Sequence, residues 1–191
     1  MFRVLIGSIV GGLAQFFVGF LFWGMPFLAH IPFTIASDAQ NAAVQTALAQ
    51  NLPTTGTYYV PWPESSAGTV LHGRGPVALI FYNTHGFPSM DPGSLVVGLI
   101  LSIVTIFLLG LALLVIAGRV GDFASRARIV LYFAVATVLY FTIATPVYNY
   151  YMPWGYWIYL ALSQLVGIVV GGLILARWFV PGGSAIDETL H

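Results

Sequence analysis

The stretch SLVVGLILSIVTIFLLGLALLVIAG, Ser94–Gly118, contains no Asp, Glu, Lys, Arg or His. A helix rises about 1.5 Å per residue and the bilayer core is about 30 Å thick, so roughly 20 such residues cross it. Three further stretches meet the same test: Val4–Ala29, Ile129–Met152 and Pro153–Ala176. They predict spans at 4–29, 94–118, 129–152 and 153–178, with a tail at 179–191. The last two abut, so a tight turn around Asn149–Gly155 must separate them. Pro153 and Gly155 supply the residues for it. The loop at 30–92 is too long and too apolar for a plain linker. The expected fold is an all-α transmembrane four-helix bundle with a small α+β extracytoplasmic domain inserted between helices 1 and 2.

Composition agrees. The 191 residues are 59% hydrophobic and 6% charged, and mean hydropathy is +0.91. Soluble domains carry about 25% charged residues, enough polar surface to face water. A zero formal net charge offers no basic field for nucleic acid, and none is expected as a partner. The bilayer is the first partner. No cysteine is present, which excludes disulfides, thiolate metal sites and a cysteine nucleophile. Every Lys+Arg position is arginine, a bias that fits a GC-rich bacterial genome.

Arginine placement sets the expected orientation. Arg3 precedes the first span, Arg119, Arg126 and Arg128 separate the second from the third, and Arg177 follows the fourth. An even number of spans puts these five on one side, leaving Arg74 alone on the other. Basic residues stay inside. Both termini are therefore expected in the cytoplasm of a cell with this chain in its inner membrane, and residues 30–92 outside. The first span exceeds the 7–15 residues of a signal-peptide core, and Phe27-Leu28-Ala29-His30 offers no A-x-A site. It is expected to be retained.

Aromatic residues crowd the outer ends of spans three and four, from Tyr148 to Tyr159 with Trp154 among them, where amphipathic rings favour the headgroup level. A stacking surface for a ligand ring is the alternative. Close packing drives helix association in lipid. Small residues four apart predict packing stripes: Gly7-x-x-x-Gly11, with Ser8 and Gly12 beside it, and Ser163-x-x-x-Gly167-x-x-x-Gly171. Gln15 and Gln164 lie near mid-span, and both amides are expected to point inward, bonding each other or a partner. Pro146 should kink or end the third helix, with Thr142 and Thr145 satisfying the freed carbonyls.

In the outer loop, Ser37-Asp38-Ala39-Gln40 reads as a capping box, and Pro53 stops the helix that follows. Thr57–Val60 reads as an edge strand. Thr69–His72 and Val77–Tyr82 read as a hairpin around Gly73-Arg74-Gly75-Pro76, with Arg74 at its tip as a candidate partner contact. Trp154 is a second such candidate.

Chemistry is sparse. His30, His72, His85 and His191 all fall outside the spans, so intramembrane haem is not expected, and neither is any other cofactor. No Asp, Glu, Lys or Arg lies inside the four uncharged stretches, which argues against a proton relay. His72 and His85 are the weak candidates for metal, with Met25, Met90 and Met152 as thioethers on the same face; the spacing is irregular. Asp122 is expected to cap the third span and to pair with Arg126 at i,i+4. No catalytic residue and no enzyme activity are expected. The leading expectation is an accessory, assembly or scaffold subunit that binds a protein partner or its own copies. The alternatives are a small oligomeric carrier or lipophilic-ligand-binding protein, and extracytoplasmic copper handling.

Overall fold

The structure, a computed structural model, describes residues 1–181. Most of the expected tail at 179–191, His191 included, lies outside the described residues. Four helical segments are long and apolar enough to cross a bilayer: Phe2–Gly24, Pro92–Ile116, Phe123–Tyr148 and Trp154–Trp178. The chain divides into two compact units. The helical unit comprises 1–32, 92–148 and 154–181, and the second comprises 33–91 with 149–153.

In the helical unit, α1 (Phe2–Gly24) stops at Met25, whose ψ of 121° is extended, and Pro26 then opens the short α2 (Pro26–Ala29). Proline at 26 has no N–H to continue the ladder, which is why α1 ends there. The second span is α5 (Pro92–Ile116), opened by Pro92. The third begins at α6 (Phe123–Val138), capped by the Asp122 carboxylate on Ser125 N at 2.9 Å. It continues through a π-helical turn, Leu139–Ile143, into α7 (Ala144–Tyr148). Helix α8 (Trp154–Trp178) is the fourth.

The expected break at Pro146 takes the form of this π turn. Ala144 N bonds Leu139 O across the wider ring, and the Thr145 hydroxyl donates to Phe141 O at 3.2 Å. The segment thereby stays helical past a residue that cannot donate. Thr142, the other residue expected to serve a carbonyl, turns to a different partner described below.

Helix α1 packs on both α5 and α8, while α6 packs chiefly on α8. Val4, Ile106, Leu113, Val130 and Leu175 form the shared core. Glycine makes the contact between α1 and α8 possible. A Cβ added to Gly11 would sit 2.6 Å from Gly171 O, and one added to Gly171 would sit 2.7 Å from Gly11 O. At Gly7 it would strike Phe179, and at Gly167 it would lie 3.4 Å from Gln15 Cγ. The expected stripes on the first and fourth spans therefore face each other in antiparallel register. The second α1 stripe serves α5: a Cβ added to Gly12 would sit 2.5 Å from Ile103 Cα, and one added to Gly110 would strike Val4. Ser8 between them is buried and returns its hydroxyl to Val4 O at 2.7 Å.

In the second unit, the Ser37 capping box opens α3 (Asp38–Asn51), with Ser37 N donating to Gln40 Oε1 at 3.0 Å. Strands β1 (Gly56–Val60) and β2 (Ala78–Tyr82) pair antiparallel, Tyr58 opposite Ile80. The expected hairpin is corrected. Thr69–His72 is not a strand but lies within α4 (Ser66–Arg74), which connects β1 to β2. The Ser65 hydroxyl caps α4 by accepting from Gly68 N, and Gly75, at φ 71°, ends it. Capping at both ends outweighs the strand preference of Thr69 and Val70. Arg74 consequently occupies the last turn of a helix, where a cation suits the helix dipole, rather than a hairpin tip.

Candidate functional site

The polar groups of the helical unit fall at three levels. At one end, the last turn of α8 is ringed by arginine. Arg126 was expected to pair with Asp122; instead it is buried at 4% exposure and donates to three carbonyls. Its Nε bonds Val120 O at 2.9 Å, its Nη1 bonds Val180 O at 2.8 Å, and its Nη2 bonds Pro181 O. The bonds from Arg126 to Val180 and Pro181 reach carbonyls just beyond α8, where a helix leaves its acceptors unpaired and its dipole negative. A planar guanidinium can serve three acceptors at once; an ammonium cannot span them. Asp122 remains a cap. Its carboxyl is held below the usual aspartate range by the Ser125 backbone N–H, with the Ser125 hydroxyl adding to it. Arg3 reaches the same end of α8, Nη2 donating to Trp178 O at 3.3 Å, and the Arg177 guanidinium lies 5.1 Å from the Phe123 ring centre.

At mid-span lie the two amides. They do not bond each other. Gln164 Oε1 accepts from the Thr142 hydroxyl, a contact the π turn permits by rotating Thr142 toward α8. Gln15 Oε1 is buried with no hydrogen-bond partner among the described residues. Of the residues predicted to pack helices, Gly7, Gly11, Gly167 and Gly171 meet across α1 and α8, and Ser163 Oγ accepts from Trp23 Nε1 at 3.1 Å. Gln164 keeps an exposed surface while its Oε1 reaches the buried Thr142 on the neighbouring segment. Helical periodicity placed it at mid-depth but did not contain the π turn that sets its partner.

At the other end, Tyr159 is buried among Phe22 and Trp23, with ring centres 5.5 and 5.2 Å away, and its hydroxyl lies 2.7 Å from Phe22 O and 2.9 Å from Leu28 O. Tyr159 is thus a buried residue of the helical unit. Trp154 opens α8 and is exposed. An apolar groove of about 210 Å³ runs between α6 and α8, with Val138, Leu139, Ala161 and Leu165 in its walls. No polar atom is exposed in it.

The second unit centres on Tyr59. Its hydroxyl and His72 Nε2 are 2.9 Å apart, its ring lies edge-on to Trp62, and the Tyr151 ring lies 5.2 Å away, tilted by 45°. Burial raises the Tyr151 phenol, and the neighbouring Tyr59 raises it further. His85 Nδ1 lies 3.1 Å from Thr84 Oγ1. His72 and His85 thus have separate partners, and no three His, Cys, Asp or Glu side chains converge on a metal-sized site among the described residues. Arg74 is exposed.

No known protein family, curated protein or solved structure matches this chain.

Proposed function

We propose that this chain is a non-catalytic accessory, assembly or scaffold subunit of a complex in the inner membrane of a bacterial cell. Both termini face the cytoplasm and the region 30–92 faces outward, because five of six arginines belong to one side. The observation that carries the reading is the apolar exposure of the second unit. Val44 on α3 is 59% exposed, and Phe81 on β2 is 81% exposed. Leu48 alone in the 41–50 stretch of α3 is so much as half-buried. A helix that buries almost nothing gains little from tertiary packing, yet short helices depend on it. A protein partner against α3 and β2 would supply that packing.

The test is site-specific photocrosslinking in native membranes from Val44 and from Phe81. The reading predicts one protein captured from both positions and lost when either residue becomes Asp while the helical unit stays folded. Labelling by lipid alone from both positions, with the protein running as a lone monomer, would refute it. A reporter fused after residue 191 tests the orientation separately and should remain inside the cell.

A further inference from the structure

We infer that the arginine-bearing end of the helical unit binds the phosphate of an anionic phospholipid, with Arg3 and Arg177 as its principal contacts. The inference rests on the membrane setting of the four spans and not on the choice of protein partner. Arg3, Arg119, Arg128 and Arg177 are all exposed. No carboxylate pairs with any of them among the described residues, since Asp122 is turned to its own helix. Two of the four differ from the rest. Arg3 is tied by one Nη2–H to Trp178 O, and Arg177 lies against the Phe123 ring. Arg119 and Arg128 have no such side-chain contact among the described residues.

That difference decides which arginines should dominate. Immobilising a free arginine at a binding site costs about 0.5–1.5 kcal/mol of side-chain freedom. Arg3 and Arg177 have met part of that cost within the fold. Arg3 is held to the last turn of α8 by one edge, Arg177 within that turn is held by its face on Phe123 of α6, and each keeps N–H donors that no described residue uses. A guanidinium edge takes a phosphate through two parallel bonds. The Trp178 indole, 61% exposed beside them, marks headgroup depth. Lipid phosphate is the anion concentrated at that depth.

The whole chain, solubilised in a neutral detergent, is titrated with phosphatidylglycerol or with phosphatidylcholine, and retained lipid is counted by native mass spectrometry. The expected preference for phosphatidylglycerol is about tenfold, because in phosphatidylcholine the choline cation neutralises the same phosphodiester and weakens its charge-assisted hydrogen bonds to the guanidinium. Arg3→Gln and Arg177→Gln should each remove most of that preference, and Arg177→Lys should not restore it, because an ammonium lacks the planar edge. Arg119→Gln and Arg128→Gln should leave it nearly intact. An unchanged melting profile in each variant separates a binding loss from a folding loss. Equal losses from all four substitutions would reduce the effect to a diffuse positive field and overturn the assignment. So would equal retention of the two lipids, or displacement of phosphatidylglycerol by equimolar inorganic phosphate, which would identify a free-anion site instead.

Discussion

The hydroxyl of Tyr159 lies 2.7 Å from the carbonyl of Phe22, the acceptor four residues before Pro26. In an unbroken helix the N–H of residue 26 would serve that oxygen; proline has none, and a side chain from α8 takes its place. Tyr159→Phe keeps the rings against Phe22 and Trp23 and removes only the donor. It should destabilise the helical unit by about 1–3 kcal/mol, the cost of an unmet buried acceptor. Unfolding by a denaturing detergent, followed by Trp fluorescence, measures it. A variant as stable as the parent would show that Phe22 O has another donor.

Gly11 and Gly171 set the closest approach of α1 and α8. A side chain at either meets backbone, which cannot swing aside. Gly171→Leu should cost more than the roughly 1–3 kcal/mol typical of an overpacked core, and the double variant with Gly11→Leu should not recover stability. Gly19, which has open space around it, is the control, and Gly19→Ala should be nearly neutral. Thermal aggregation in detergent compares the three.

Arg126 should behave as a hydrogen-bonding plane rather than as a charge. Arg126→Lys keeps the charge but leaves some of the carbonyls of Val120, Val180 and Pro181 unserved. The expected loss is about 1–3 kcal/mol per buried acceptor left unpaired. Arg126→Met loses the bonds but also removes a buried charge, so lysine should be no milder than methionine. Proteolysis after residue 178 in folded protein provides a local readout, since release of the Val180 carbonyl exposes that segment.

The Asp122 cap implies a pH dependence of definite sign. Its folded value lies below the usual 3.8, so its contribution is complete above that value and is lost as pH falls through the depressed one. Asp122→Ala should therefore lower stability at neutral pH, and the gap from the parent should close in strong acid. Asp122→Asn, which also caps, should retain most of the neutral-pH stability without the acid dependence. Melting midpoints between pH 2 and 7 separate the three curves.

Much of this was legible in the sequence, for identifiable reasons. Uncharged length marked all four spans, and the small-residue stripes at Gly7–Gly11 and Ser163–Gly171 identified the helix faces that meet. The Ser37–Gln40 box marked α3. What escaped was decided by helix caps, a π turn and tertiary partners. Thr69 and Val70 carry a strand preference, and the capping geometry of Ser65 and Gly75 overrode it. Arg126 stands four residues after Asp122, a spacing that suggests an ion pair, but unserved carbonyls at the far end of another helix attract it more. Gln164 has the right depth for Gln15, and a single π turn gave its acceptor to Thr142 instead. The arginine ring around α8 was visible only as a topology signal, since nothing local says which guanidinium is held and which is free.

Because α6 finds its main support in α8, the third span emerges from the ribosome before the surface it needs has been made. Helices α1 and α5 can join as soon as the second is synthesised, through Gly12 against Ile103. The third must wait in the bilayer or beside the insertion machinery, with the Arg126 guanidinium able to reach Val120 O but neither carbonyl beyond α8. A nascent chain arrested shortly before residue 154 would then be a half-assembled pair plus a waiting helix. Quality-control proteases that recognise unsatisfied charge at the membrane face should find their substrate at that stage, and lose it once the final span is in place.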